Sequence, residues 1–289
     1  MITDWIFISL AIAGAAAGTA TDLKGRWVPD WVNYFMIIFG ISGHALISVV
    51  QWSIRPFVYS AAAAGILYGV SSLLFYAGVW GGGDAKLFVG LGALLPVFTP
   101  AVSAPWPWLV TLWVNTLVFG SILGVLGSFY LAVKYKAKFV PELKNQFAKN
   151  RRTIYMTPAL IILPAMIYFL DLPIEIFALS MLLLLFPFLY VVLKAVEHSC
   201  MFKHIAPSKL VEGDWVVDEV HIGSHNYKPA KSGIEKKDII GLIELEKAGK
   251  LKHVKIKEGL PYVPALLAGL LASVFFGDLL FWIITVFLV

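Results

Sequence analysis

The chain has 289 residues, of which 59% are hydrophobic and 14% charged, and its mean hydropathy is +0.81. A soluble domain typically has an apolar share of ~45–50%, so this composition marks an integral membrane protein. The formal net charge is +5, and the single cysteine, Cys200, excludes an intrachain disulfide framework and any zinc site built from paired CxxC motifs.

Runs of about 20 apolar residues are read as spanning helices. In chain order they predict eight: Asp4–Thr21, Trp31–Val50, Phe57–Trp80, Asp84–Phe98, Pro107–Val133, Ile154–Leu170, Ile174–Val196 and Leu260–Phe276. The first run has no basic stretch before it, so it reads as a helix of the mature chain rather than a signal peptide. The fourth and sixth are the shortest, and the sixth contains Pro158 and Pro164, which would start or kink it. With an outside N-terminus, this map puts every Lys and Arg except Arg55 on the inner side, as positively charged loops require. Asp22 and Asp84 then share the cytoplasmic face.

The first inner loop runs from Asp22 to Asp30. Asp30 opens the second helix, where a carboxylate caps or complements the positive end. Asp22 follows the first helix, whose negative end disfavours an anion, so another group must hold it. Farther on, residues 134–152 carry seven basic side chains and one acid, Glu142. They read as a solvated juxtamembrane loop drawn to anionic lipids of the bilayer, at roughly 1 kcal/mol per basic residue. Segment 197–258 differs in composition, holding ten of the 18 acids and eleven basic residues. It reads as a small α+β cytosolic insert before the last helix, separate from a transmembrane domain of residues 1–196 and 259–289. Trp215–Ile222 and Leu251–Lys257 are its expected strands. Ser232-Gly233-Ile234-Glu235 is expected to open a helix that runs to Ala248 and stops at Gly249. The fold class is therefore an all-α polytopic bundle of about six to eight transmembrane helices carrying this insert.

The chemistry concentrates at Gly81-Gly82-Gly83-Asp84. A carboxylate at membrane depth is costly, and one that persists there marks a functional site. Glycines without Cβ atoms permit positive φ and a close backbone approach. An N-cap on the fourth helix would explain Asp84 but not three consecutive glycines. Two carboxylates on one face suggest an aspartyl dyad, one charged to take a proton from water and one protonated to polarise a carbonyl. Like charges brought close share a single proton. Such a dyad calls for no metal or cofactor. His198, Cys200, His204, His221 and His225 are near one another in sequence, but their spacing matches no zinc motif. Asp278 reads as an acid at the outer interface, and Trp80, Trp106, Trp108, Trp113 and Trp282 as an interfacial aromatic belt.

Asp22 in the short first loop, Gly81-Gly82-Gly83-Asp84-Ala85-Lys86-Leu87, and Gly259-Leu260-Pro261-Tyr262-Val263-Pro264 together resemble the type IV prepilin peptidases. More narrowly they are similar to the archaeal prepilin and preflagellin (prearchaellin) peptidases, proteases of the GxGD form. The resemblance implies a membrane-embedded aspartyl endopeptidase. Its substrates would be pilin or archaellin precursors, from which it removes the short basic leader peptide at the cytoplasmic face. It implies Asp22 and Asp84 as catalytic residues, and Gly81, Gly82, Gly83 and Lys86 as substrate-binding residues. Bifunctional bacterial members carry a CxxC-bearing segment that is missing here, so no methyltransferase activity is expected. Two other functions fit the residues alone: a proton- or cation-coupled transporter using Asp22 and Asp84, and a scaffold whose insert is the working part.

Overall fold

The computed structural model describes residues 2–98, 106–155, 157–170, 177, 180–181, 183–222, 225–227 and 233–288. The protein is a polytopic helical membrane protein with a small sheet. Five of its described helices or helical runs are long and apolar enough to cross a membrane: Asp4–Gly25, Asp30–Val50, Arg55–Tyr76, Trp108–Lys134 and Leu183–Cys200. The chain divides into two compact units. One comprises residues 1–123 with 205–283, and the other residues 124–204 with 284–289.

In the first unit, α1 (Ile2–Gly25), α2 (Asp30–Val50) and α3 (Arg55–Tyr76) surround the shorter α4 (Gly82–Leu94). At about 1.5 Å per residue, thirteen residues reach ~20 Å, short of the ~30 Å hydrocarbon core. The sequence reading of a span over Asp84–Phe98 is therefore corrected: α4 is an enclosed helix, buried continuously from Leu87 to Leu94. Small residues make that enclosure possible. A Cβ on Gly40 of α2 would stand 2.6 Å from the Ala93 backbone, and one on Gly92 would stand 2.8 Å from Leu67. Close helix approach at glycine replaces the hydrophobic drive that lipid cannot supply. Ser60 ties α3 to α4 by donating to the Ala93 carbonyl at 2.7 Å.

The first part of α5 (Trp108–Lys134) and α12 (Val263–Phe275) complete this core, with Leu112, Val263, Leu266 and Leu270 buried beside Leu87, Phe88 and Leu91. A further helix, α13 (Leu279–Leu288), was not expected from the sequence. Asp278 caps it: Oδ1 accepts from the Phe281 amide at 2.7 Å and Oδ2 from the Trp106 indole at 2.8 Å. Asp278 is fully buried, so its reading as an interface acid gives way to an N-cap in the interior. The aromatic belt is likewise corrected in part. Trp80 and Trp108 are core residues at 1% and 6% exposure, whereas Trp282 is exposed.

Further elements of the same unit are β2 (Trp215–Val216), β3 (Val220–Ile222), β4 (His225–Tyr227), α11 (Lys236–Lys247) and β5 (Val254–Lys257). Two short strands, β2 and β3, stand where one was expected. Strand β1 (Phe202–Ile205) precedes them in the chain, and β2 pairs antiparallel to β5 with Trp215 opposite Lys257. Leu210, Val216, Ile234, Leu242, Val254 and Ile256 form a core of their own. Helix α11 starts from Glu235 and ends at Gly249, which has a φ of +70°, as the stop signal required. Ser232 lies outside the described residues.

In the second unit, α6 (Lys136–Lys149) begins just after α5 ends, so most of residues 134–152 is helical rather than the expected loop. Gln146 is buried, and Phe139 packs with Val196 and Cys200 of α10 (Phe186–Cys200). Lys136, Lys144 and Lys149 remain exposed. The span expected at Ile154–Leu170 is broken into α7 (Arg151–Tyr155), α8 (Thr157–Leu160) and α9 (Ile162–Phe169). Pro158 and Pro164 remove amide donors within this stretch. The expected span Ile174–Val196 falls partly outside the described residues.

Candidate active site

Asp22 lies in the last turn of α1, not in a loop. The helix runs to Gly25, and Arg26 closes it with a φ of +59° while its amide donates to the Asp22 carbonyl at 2.8 Å. The Asp22 side chain is 5% exposed, and its Oδ2 accepts from the Val263 amide at 3.0 Å. The neighbouring Tyr262 amide also acts on it. Asp22 thus sits against the N-terminus of α12, where unsatisfied amides and the positive end of the helix favour an anion. That is the holding group its position after α1 demanded. Arg26 adds a favourable charge and itself pairs with Glu258 at 3.2 Å.

Asp84 is the third residue of α4. Gly81 is the extended N-cap residue (φ −77°, ψ 162°), and its amide donates to Asp84 Oδ2 at 2.9 Å. The N-cap reading of Asp84 is corrected: Asp84 is the acid that reaches back to the cap residue's own amide, half of a capping box. The glycine triplet is explained by space. None of the three has a positive φ, so the conformational reading does not apply. A Cβ on Gly81 would stand 3.2 Å from the Asp84 carboxylate, and one on Gly83 would stand 3.1 Å from Val28 Cβ and 3.3 Å from the Val28 backbone nitrogen. Gly82 is looser, with Phe75 at 3.7 Å as its nearest neighbour.

The fold brings Asp84 near enough to feel the charge of Asp22. Tyr262 is also within electrostatic reach of Asp84, and its ring lies 5.4 Å from that of Trp80. Sequence reasoning quoted Tyr262 and Val263 within a motif without assigning either to the site. The signal was present in the paired prolines, since Pro264 in the first turn of α12 marks where the helix starts and its free amides point. Lys86 pairs with the first residue of α2. Its Nζ is held by Asp30 Oδ1 at 2.6 Å and lies 5.4 Å from the centre of the Tyr34 ring. Asp30 is the first residue of α2, near that helix's positive end, with Pro29 as the cap residue.

Among the described residues no group of three His, Cys, Asp or Glu side chains is placed to hold a metal ion. The side chains of His221 and His225 lie outside the described residues.

Two acids from separate helices, each on a backbone amide, lie in a sequence segment of known kind. Residues 5–128 match the type IV leader peptidase family. The resemblance read from the residues is borne out, and the matched segment contains Asp22, the glycine triplet, Asp84 and Lys86. The chain is 32% identical over 92 residues to a preflagellin peptidase of Methanocaldococcus jannaschii, covering 32% of this chain and 39% of that one. It is 28% identical over 136 residues to a preflagellin peptidase of Methanococcus voltae (45% and 58%). A prepilin peptidase of Methanothermobacter thermautotrophicus is 22% identical over 130 residues (41% and 34%). The chain thus spans less than two thirds of each of these relatives. No solved structure matches.

Proposed function

We propose that the protein is a membrane-embedded aspartyl endopeptidase that removes leader peptides from type IV pilin-like or archaellin precursors. This reading is supported by Asp22 of α1 and Asp84 of α4, each fixed by a backbone amide and near enough for their charges to interact. One carboxylate accepts a proton from water as the water attacks the scissile carbonyl. The other, protonated, donates to the carbonyl oxygen, and collapse of the tetrahedral diol delivers a proton to the departing amine. The glycine triplet opens the helix that carries Asp84, and Gly82, the least crowded of the three, leaves the most room for an extended peptide. The basic leader stays at the cytoplasmic face for the reason that the chain's own Lys and Arg residues do. The exposed lysines of α6 would meet anionic headgroups at that face. The transporter reading calls for acids near the bilayer midplane and draws no support from the family match.

Co-expression with a leader-bearing pilin or archaellin precursor tests the proposal by the size of the product. Wild type shortens the precursor, and Asp22→Asn and Asp84→Asn each lose at least about 100-fold in rate. Cleavage at the wild-type rate by either variant, or an uncut precursor with the wild type, would overturn it.

A further inference from the structure

The amide that holds Asp84 belongs to Gly81, the residue after Trp80. The amide that holds Asp22 belongs to Val263, the residue after Tyr262. The two rings touch, with centroids 5.4 Å apart and planes at 45°. The chain therefore connects the carboxylates by a short mechanical path: Asp84, Gly81, Trp80, Tyr262, Val263, Asp22.

Each ring is anchored independently. Trp80 is 1% exposed and stands edge-on to Phe88 of α4 at 5.2 Å. Tyr262 lies over Gly120 of α5, where a Cβ would stand 2.5 Å from its hydroxyl oxygen. That hydroxyl donates to the Thr116 carbonyl at 3.4 Å. One segment opens α4 and the other joins β5 to α12, and the ring contact links the two.

We infer that Trp80 and Tyr262 are positioning residues that set the separation of Asp22 and Asp84 through ring contact. The inference rests on the proteolytic reading of the two acids. A reacting pair misplaced by about 1 Å loses on the order of 100-fold in rate, so a contact that spaces the pair acts on turnover more than on substrate affinity. Spacing also sets how strongly the two charges interact, and hence the pH–rate profile of the pair. The other charged or titratable neighbours of the pair are Arg26 and the Tyr262 phenol itself.

A double-mutant cycle tests this, with wild type, Trp80→Leu, Tyr262→Leu and the double variant purified in detergent, plus Tyr262→Phe as the ring-preserving control. Each leucine variant is expected to lose about 10- to 100-fold in kcat, with KM within about 3-fold and a displaced pH–rate profile. The double variant should be no worse than the poorer single variant by more than about 3-fold, because the rings act as one unit. Tyr262→Phe keeps the ring contact and loses only the hydroxyl's bonds, so it should lose less rate than Tyr262→Leu. If a leucine variant does not give a monodisperse protein, Trp80→Phe or Tyr262→Met takes its place in the cycle. Losses that multiply in the double variant, uniform slowing with an unmoved profile, or wild-type turnover would overturn the inference. Those outcomes leave the dyad standing if Asp22→Asn and Asp84→Asn remain inactive. Active aspartate variants would instead remove the reading on which the inference rests.

Discussion

At the scale of single residues, the glycine triplet illustrates how one motif can hold three different demands. Gly81 must leave room for the carboxylate that bonds its own amide, Gly83 must fit against Val28, and Gly82 is the least constrained. Substitution by alanine separates them. Gly83→Ala pushes a methyl group toward the Val28 backbone nitrogen and is expected to cost about 1–3 kcal/mol. Gly82→Ala meets only ordinary contact in the first turn of a helix and should melt within about 1 kcal/mol of wild type. Thermal unfolding in detergent compares the two, and equal losses would show that the packing difference is immaterial. Asp22 and Asp278 make a related point. Both are buried acids at the N-terminus of a helix, but Asp278 belongs to the turn it caps, while Asp22 arrives from a distant helix. An acid supplied from elsewhere in the chain is the one with freedom to serve chemistry.

At the scale of elements, Asp214 links the small sheet to solution conditions. Burial holds its carboxyl above the ordinary carboxylate range, Glu258 adds to that, and the Val211 amide opposes it. A carboxyl that binds its proton more tightly folded than unfolded costs stability when ionised. Its unfavourable contribution is full above the raised folded pKa and fades as pH falls through that value toward 3.8. Asp214→Asn keeps an oxygen acceptor for the Val211 amide, which the carboxylate accepts at 2.8 Å. It should therefore melt above wild type at pH 8, with the gap closing toward pH 4, and a gap that widens on acidification would contradict the assignment. Elements were legible where local chemistry decided them. Gly249 ends α11, and long apolar runs gave α1, α2, α3 and α5 to within a few residues. The errors share a cause in tertiary context. Helix α13 was hidden because Asp278 reads as an exposed acid until Trp106, from another part of the chain, is seen to bond it. Trp80 reads as a belt residue until Phe88 and Tyr262 surround it. Of the site, the acids and glycines could be read from composition and cost, whereas the amides that hold them carry no sequence signature beyond Pro264.

At the scale of the whole molecule, the charge pattern calls for an orientation that labelling can check. Trp52, next to the lone outer cation Arg55, is 96% exposed, and Lys144 belongs to the exposed basic side of α6. Native Cys200 is buried at 7% exposure and contributes little background. With a membrane-impermeant maleimide on intact cells, Trp52→Cys should label and Lys144→Cys should label only after permeabilisation. The reverse pattern would invert the molecule and move Asp22 and Asp84 to the other face. The hydrogen bond from Val263 to Asp22 spans 241 residues, and this separation orders events during synthesis. Asp22 leaves the ribosome with the first helix, long before the amide that fixes it. Chains made only as far as α4 therefore carry both acids without the hold on one of them. On the proteolytic reading, such a chain stays dormant until α12 docks.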